Sequence, residues 1–171
     1  MATSENTGLC YPYTIRVTPD KGRGVFAAAS IPKGAIVWRY VPGQYEVHDE
    51  RSFRQLLAKL SHCDAVYELE HVHSVLEFPG YIIRVVDDGA LINHSRQPTV
   101  MTTNHIGNYQ APCVTSVRDV AEALVDEWFA LIATRDIKVG EELTNDYNLD
   151  VDDPPYYDAL CEEYGVTWEW L

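Results

Sequence analysis

Ile137-Lys138-Val139-Gly140-Glu141-Glu142-Leu143-Thr144-Asn145-Asp146-Tyr147 is the stretch that decides the fold. A turn signal at Val139-Gly140 leads into a short strand-like run that ends on a tyrosine. Just upstream, Glu127 to Ala133 reads as another strand, so the order is strand, turn, strand. Alone this is a modest signal, and two motifs further back give it weight. Ala90-Leu91-Ile92-Asn93-His94-Ser95 carries apolar residues into a polar triplet, with Pro98 following. Asn and His together offer several donors and acceptors, although a strand end with a satisfied histidine has the same look. Lys21-Gly22-Arg23-Gly24-Val25-Phe26-Ala27 formally matches GxGxxA, a dinucleotide-binding fingerprint. That reading needs a strand before the motif and a long helix after it. Thr18-Pro19-Asp20 precedes it, and Pro32 and Gly34 follow within eight residues of Ala27, so no such helix fits. The two glycines still permit close backbone approach to a ligand.

The rest of the chain frames these motifs. With 171 residues it has about one domain's worth of sequence. Hydrophobic residues make up 46% and charged residues 23%, which excludes a disordered or low-complexity chain. The longest clean apolar run, Trp128 to Ala133, falls far short of a membrane span. MATSENTGLC lacks the basic and apolar regions of a secretory signal, and the expected location is intracellular. Acids outnumber bases 26 to 13, a formal net charge of −13. That argues against direct nucleic-acid binding and favours basic partners, besides serving solubility. Cys10, Cys63, Cys113 and Cys161 form no CxxC pair, so neither a zinc ribbon nor a dense disulfide framework is expected.

Further strands are expected over Ala35 to Val41 and Tyr81 to Val86, with another starting at Glu142-Leu143-Thr144. Phe53, Leu56, Leu57 and Leu60 share one helical face, with Ser52 and Gln55 at capping-box spacing. A second helix is expected from about Pro154 to Tyr164, with Asp153 as N-cap and Gly165 as stop. Many short strands and two peripheral helices predict a mainly β domain. From Glu141 to Leu171 there are ten acids, no Lys or Arg, and six Tyr or Trp residues. Acids with aromatic rings can form a slot for a cation, or the rings can pack on the core. His71, His73 and Glu77 have HxHxxxE spacing, the pattern of a metal-binding β-barrel, but the flanking glycines are absent and no metal site is expected.

Taken in order, KGRGVFA, ALINHSRQPTV and GEELTNDY resemble the three motifs of the SET domain, the fold of protein lysine methyltransferases that use S-adenosylmethionine. The likeness covers roughly Lys21 to Tyr147. It implies a β-clip-like fold of short strands with a pseudoknot near the cofactor site. Residues 1–10 would then be a flexible tail, 11–149 the SET domain and 150–171 an acidic, aromatic segment closing the active site. Ala90 and Leu91 stand where the family usually has arginine and phenylalanine, Arg96 where it has cysteine and Thr99 where it has asparagine. The cysteine-rich zinc segment that often follows is missing. Asn145 occupies a position, often aromatic, linked to how many methyl groups are added.

By the same resemblance, Tyr147 is the active-site tyrosine and Tyr40 a second tyrosine near the target amine, with Tyr67 a weaker candidate. Backbone groups of Gly22, Arg23 and Gly24 would meet the methionine end of the cofactor. Asn93 and His94 would hold its amino end and adenine, beside Tyr147, and Trp168, backed by Trp170, would cover the adenine. The implied substrate is a basic, histone-like segment. A SET-like module that binds a basic peptide without transferring a methyl group is the alternative.

Overall fold

The computed structural model describes residues 7–103, 112–147 and 153–166. Strands β1 (Tyr13–Thr18) and β2 (Gly22–Ala27) form an antiparallel hairpin in which Thr18 faces Gly22. Gly22 sits at φ +71°, a left-handed turn that favours glycine. Strands β3 (Ile36–Trp38), β7 (Val100–Thr102) and β8 (Leu131–Ala133) make a three-stranded sheet in the order β3-β8-β7. Strand β4 (Tyr45–His48) pairs antiparallel with β5 (Ile82–Val85). The last pair, β6 (Asn93–His94) with β9 (Thr144–Asn145), is parallel. Four helices lie around these small sheets among the described residues, as a mainly β fold with peripheral helices requires: α1 (Glu50–Leu57), α2 (His62–His71), α3 (Val117–Ala123) and α4 (Pro155–Tyr164).

The expected crossing is present. Segment Glu141–Asn145 runs between β2 on one side and residues 93–99 on the other. Against β2, Ala27 N–H donates to Glu141 O and Leu143 N–H to Val25 O, at 2.9 and 2.8 Å. Against the second side, Ser95 N–H donates to Asn145 O and Thr99 N–H to Thr144 O, at 2.8 and 2.9 Å. Thr99 and Thr144 are buried polar residues, and they satisfy each other. Thr99 Oγ1 accepts from Thr144 N–H at 2.8 Å and donates to Glu142 O at 3.2 Å. Buried hydroxyls need such partners, so threonine at this position closes the crossing without an asparagine.

Two apolar cores result. The larger gathers Val25, Ala27, Val37, Trp38, Tyr40, Ile83, Ile92, Val100 and Leu143 between the sheets. The smaller joins Phe53 and Leu57 of α1, Ala65 and Leu69 of α2, Ile82 of β5, and Tyr157, Leu160 and Cys161 of α4. The Phe53–Leu57 face is thus buried as its spacing predicts. The helix starts earlier than the Ser52-Gln55 pattern implies, because the Asp49 carboxylate accepts from Ser52 N–H at 2.8 Å and caps it. In α4 the cap position is Pro154, without a side-chain bond, rather than Asp153, whose carboxylate accepts from Ser74 Oγ at 3.0 Å. Gly165 ends α4 at φ +69°, as expected.

Other expectations need correction. Helices α2 and α3 were not expected; Ser61 and Ser116 cap them by accepting from Asp64 and Asp119 N–H. Glu127–Phe129 is a 3-10 turn, not strand, because the Asp126 carboxylate accepts from Trp128 N–H at 2.9 Å. Strand β3 stops at Trp38, where Arg39 N–H turns to Gly8 O at 3.1 Å. That bond also shows that residues 7–10 are no loose tail. Leu9 is buried and bridges Trp38, and the Asp87 carboxylate accepts from Thr7 Oγ1, Gly8 N–H and Trp38 Nε1. All four cysteines are free thiols. No helix among the described residues is long and apolar enough to cross a membrane.

Because Phe53 is fully buried where α1, α2 and α4 meet, Phe53→Ala should cost about 3–5 kcal/mol in a urea titration. Val17→Thr, at the most exposed large hydrophobic side chain described, should change stability by less than about 0.5 kcal/mol.

Candidate active site

Parallel pairing of β6 with β9 sets Asn93 against Thr144 and His94 against Asn145, which brings two of the sequence motifs into register. The third motif joins through side chains. Asn93 Nδ2 donates to Arg23 O at 3.2 Å and to Glu142 Oε1 at 2.8 Å. A Cβ on Gly24 would lie 2.6 Å from Glu142 Oε1 and 2.7 Å from Asn93 Nδ2, so any other residue here would push that pair of side chains aside. Lys21 Nζ donates to His94 O at 3.0 Å and lies 3.8 Å from Glu142 Oε2. Gly22, Arg23, Gly24, Asn93 and His94 therefore do assemble in one place. Glu142 sits at their centre. The sequence reading passed over it, and its signal was available: an acid inside a strand-like run facing a polar Asn-His pair.

Tyr147 closes the same cluster. Its N–H donates to His94 Nδ1 at 3.1 Å, and Asp146 Oδ1 lies 3.7 Å from the same ring nitrogen. The two rings lie 5.5 Å apart. The phenol donates to Ile92 O at 2.5 Å. Burial of the hydroxyl, helped by the negative Glu142, pushes its pKa up to about 12. Yet Tyr147 is 37% exposed as a residue.

A cavity of about 240 Å³ meets this cluster at Arg23 alone, and its other walls include Tyr67, His71, Arg84, Leu91 and the acids Asp87 and Asp88. Tyr67 stacks on His71 at 3.9 Å, giving the cavity an aromatic side. Arg84 holds the opposite charge in place through Glu68, with contacts of 2.6 and 2.7 Å. Ala90 and Leu91 keep their wall short. The site thus offers an acceptor-rich edge at Arg23 O, Asn93 and Glu142 next to a partly aromatic hollow. Such an arrangement suits a ligand with an ammonium group at one end and a flat ring at the other.

Tyr40 belongs to the larger core and does not line this cavity. It is buried, its hydroxyl lies 2.6 Å from His73 Nε2, and its ring meets Trp38 and Tyr45 edge-on. Tyr156, Tyr157 and Tyr164 take the packing option rather than the cation slot. The first two donate to Gly80 O and Leu69 O, and Tyr164 stacks on His62. Trp168 and Trp170 lie outside the described residues. His71, His73 and Glu77 have separate partners in Tyr67, Tyr40 and Trp128. Among the described residues no group of three His, Cys, Asp or Glu could hold a metal ion.

Desolvation of the ring nitrogen against the buried Tyr40 hydroxyl pushes the pKa of His73 down to about 4, although the residue as a whole is exposed and solvent screening weakens the effect. A histidine that titrates lower in the folded state than near its ordinary 6.5 destabilises the fold as pH falls through that interval. The wild type should therefore lose stability between about pH 6.5 and 4 faster than His73→Gln, whose amide can still bond Tyr40 but does not titrate. Denaturant midpoints of both proteins across that range provide the check.

Comparison with known proteins identifies the family and the fold. The model of the SET domain matches residues 22–148. The chain is 30% identical over 138 residues to the histone-lysine N-methyltransferase ash1 of Drosophila melanogaster, covering 81% of this chain and 5% of that protein. It is 29% identical over 146 residues to the histone-lysine N-methyltransferase SUV39H1 of Xenopus laevis, covering 85% of this chain and 31% of that one. Among solved structures, the Neurospora SET domain protein DIM-5, a histone lysine methyltransferase, matches with a TM-score of 0.53 at 21% identity, over 85% of this chain and 55% of its own. KRYPTONITE, in complex with mCHG DNA and SAH, matches with a TM-score of 0.50 at 21% identity, over 84% of this chain and 25% of its own. These two structures share the fold, and the chain spans only a small part of the curated relatives' length. With three motifs assembled around one crossing and a family match over most of its length, the chain belongs to the SET domain family.

Proposed function

We propose that this chain is an S-adenosylmethionine-dependent protein-lysine N-methyltransferase acting on a basic, histone-like segment. The observation that carries the reading is the junction of Arg23-Gly24, Asn93-His94 and Tyr147 beside the cavity. Its acceptor edge and partly aromatic hollow suit the ammonium and adenine ends of the cofactor. The curated relatives named as histone-lysine N-methyltransferases support the activity, and a protein of the same fold crystallised with SAH supports the cofactor. The DNA in that complex belongs to a protein of which this chain matches a quarter, and a net charge of −13 disfavours DNA here.

Bound in the site, the cofactor would supply an electrophilic methyl group on a sulfonium. The accepting lysine must be neutral, and at pH 7 a free lysine costs about 4–5 kcal/mol to deprotonate. An enclosed site with a like charge nearby lowers that cost. Tyr147 keeps its proton at physiological pH because its pKa is raised to about 12. It therefore acts as a neutral phenol and not as a phenolate base. Its proton is directed at Ile92 O, so the phenol oxygen can meet an amine N–H only as an acceptor. Orientation of amine against methyl is the remaining contribution. Of the other residues that the family resemblance suggests, Tyr40 is buried with its hydroxyl on His73, and Trp168, the candidate cover for the adenine, lies outside the described residues. The acidic surface draws in a basic segment and raises the rate of encounter.

Labelled S-adenosylmethionine, core histones and a cell lysate, offered to wild type and Tyr147→Phe, test this reading. Label on a protein lysine, reduced about 100-fold or more in the variant, is the expected result. No label while the cofactor still binds by calorimetry would replace it with a peptide-binding module. The KM for a basic peptide should also rise steeply with salt, and a salt-independent KM would remove the electrostatic part of the proposal.

A further inference from the structure

Glu142 lies in the acceptor edge of the site, and its side chain touches both Asn93 and Lys21. Its backbone is locked in the crossing, bridged to Phe26 and accepting from Thr99 Oγ1. Its carboxylate is half-buried, with Oε1 accepting from Asn93 Nδ2 at 2.8 Å and Oε2 facing Lys21 Nζ at 3.8 Å. The second Nδ2 hydrogen of Asn93 goes to Arg23 O. Both amide hydrogens are therefore taken by acceptors, and turning the amide over would put oxygen against two oxygens. Asn93 Oδ1 accepts no hydrogen bond among the described residues and is not a buried orphan. The absent Cβ of Gly24 leaves the space in which this pair lies flat against β2.

We propose that Glu142 is a positioning residue: its carboxylate fixes the Asn93 amide with the carbonyl oxygen presented to the ligand, so that the site selects the ammonium group at the methionine end of S-adenosylmethionine. This inference rests on the cofactor assignment made under Proposed function. A free amide would offer the ligand either a donor or an acceptor. One anchored by a carboxylate offers only the acceptor, with negative charge close behind it. Lys21, bonded to His94 O, balances that charge without taking the Asn93 oxygen.

The test is calorimetric binding to the full chain, with S-adenosylhomocysteine and its deamino analogue, in which hydrogen replaces the amine. Wild type should bind the deamino compound about 10- to 100-fold more weakly, as expected for losing a charge-assisted hydrogen bond. Glu142→Ala should weaken S-adenosylhomocysteine by a similar factor and leave the deamino compound within about threefold. Glu142→Gln, whose carbonyl can still accept from Asn93, should hold S-adenosylhomocysteine within about threefold to tenfold of wild type. Equal weakening of both ligands in either variant would mean a merely structural role and overturn the inference. Equal binding of both by wild type would overturn it too, even if the alanine variant fails to fold. If wild type binds neither ligand, the cofactor assignment itself falls, and this inference with it.

Discussion

The rest of the structure depends on the backbone pairing of Glu141–Asn145, which is shared between β2 and the segment 93–99. This strand is too short to be stable alone. It holds because it has partners on both sides and because Thr99 and Thr144 meet each other's polar needs in a dry interior. Gly24, Asn93, His94 and Tyr147 all hang from it. Remove the pairing, and Asn93, His94, Gly24 and Tyr147 have no reason to be neighbours.

The chemistry of the site follows from small displacements of ordinary groups. A tyrosine that keeps its proton, a histidine whose Nδ1 meets a backbone N–H and an amide whose two hydrogens are taken are each ordinary side chains with one degree of freedom removed. The removal is done by two backbone carbonyls, one backbone N–H and one carboxylate. Such a site is preorganised by the fold itself, and its polar edge needs little rearrangement when a ligand arrives.

Much of this was legible in the residues. The three motifs located the Gly22–Gly24, Asn93–His94 and Tyr147 cluster because glycine, amide, imidazole and phenol were fixed in type by their task. The Phe53–Leu57 face and the Gly165 stop were legible because periodicity and left-handed turns are local properties. Helix α2 was hidden, since only Ala65 and Leu69 are buried along it and its surface is mostly polar. Helix α3 has the single buried residue Val120, so its period left almost no trace. Residues 7–10 looked loose because what pins them, Asp87 and Trp38, is far away in sequence. Glu142 was missed for the same reason: its importance is relational, and its partners come from positions 21, 24 and 93.

The wide sequence separation inside the crossing also governs how the molecule comes into being. Strand β2 leaves the ribosome more than a hundred residues ahead of the segment that must lie beside it. Until Glu141–Asn145 has been synthesised, Val25 and Ala27 have no partner on that side, and their apolar neighbours are open to other contacts. Pairing over such a distance is slow to form and exposed to aggregation while it waits. The last motif to be translated is therefore the one that turns a set of loosely held hairpins into a site, and a nascent chain stalled before Tyr147 would carry the first two motifs without the pocket they build.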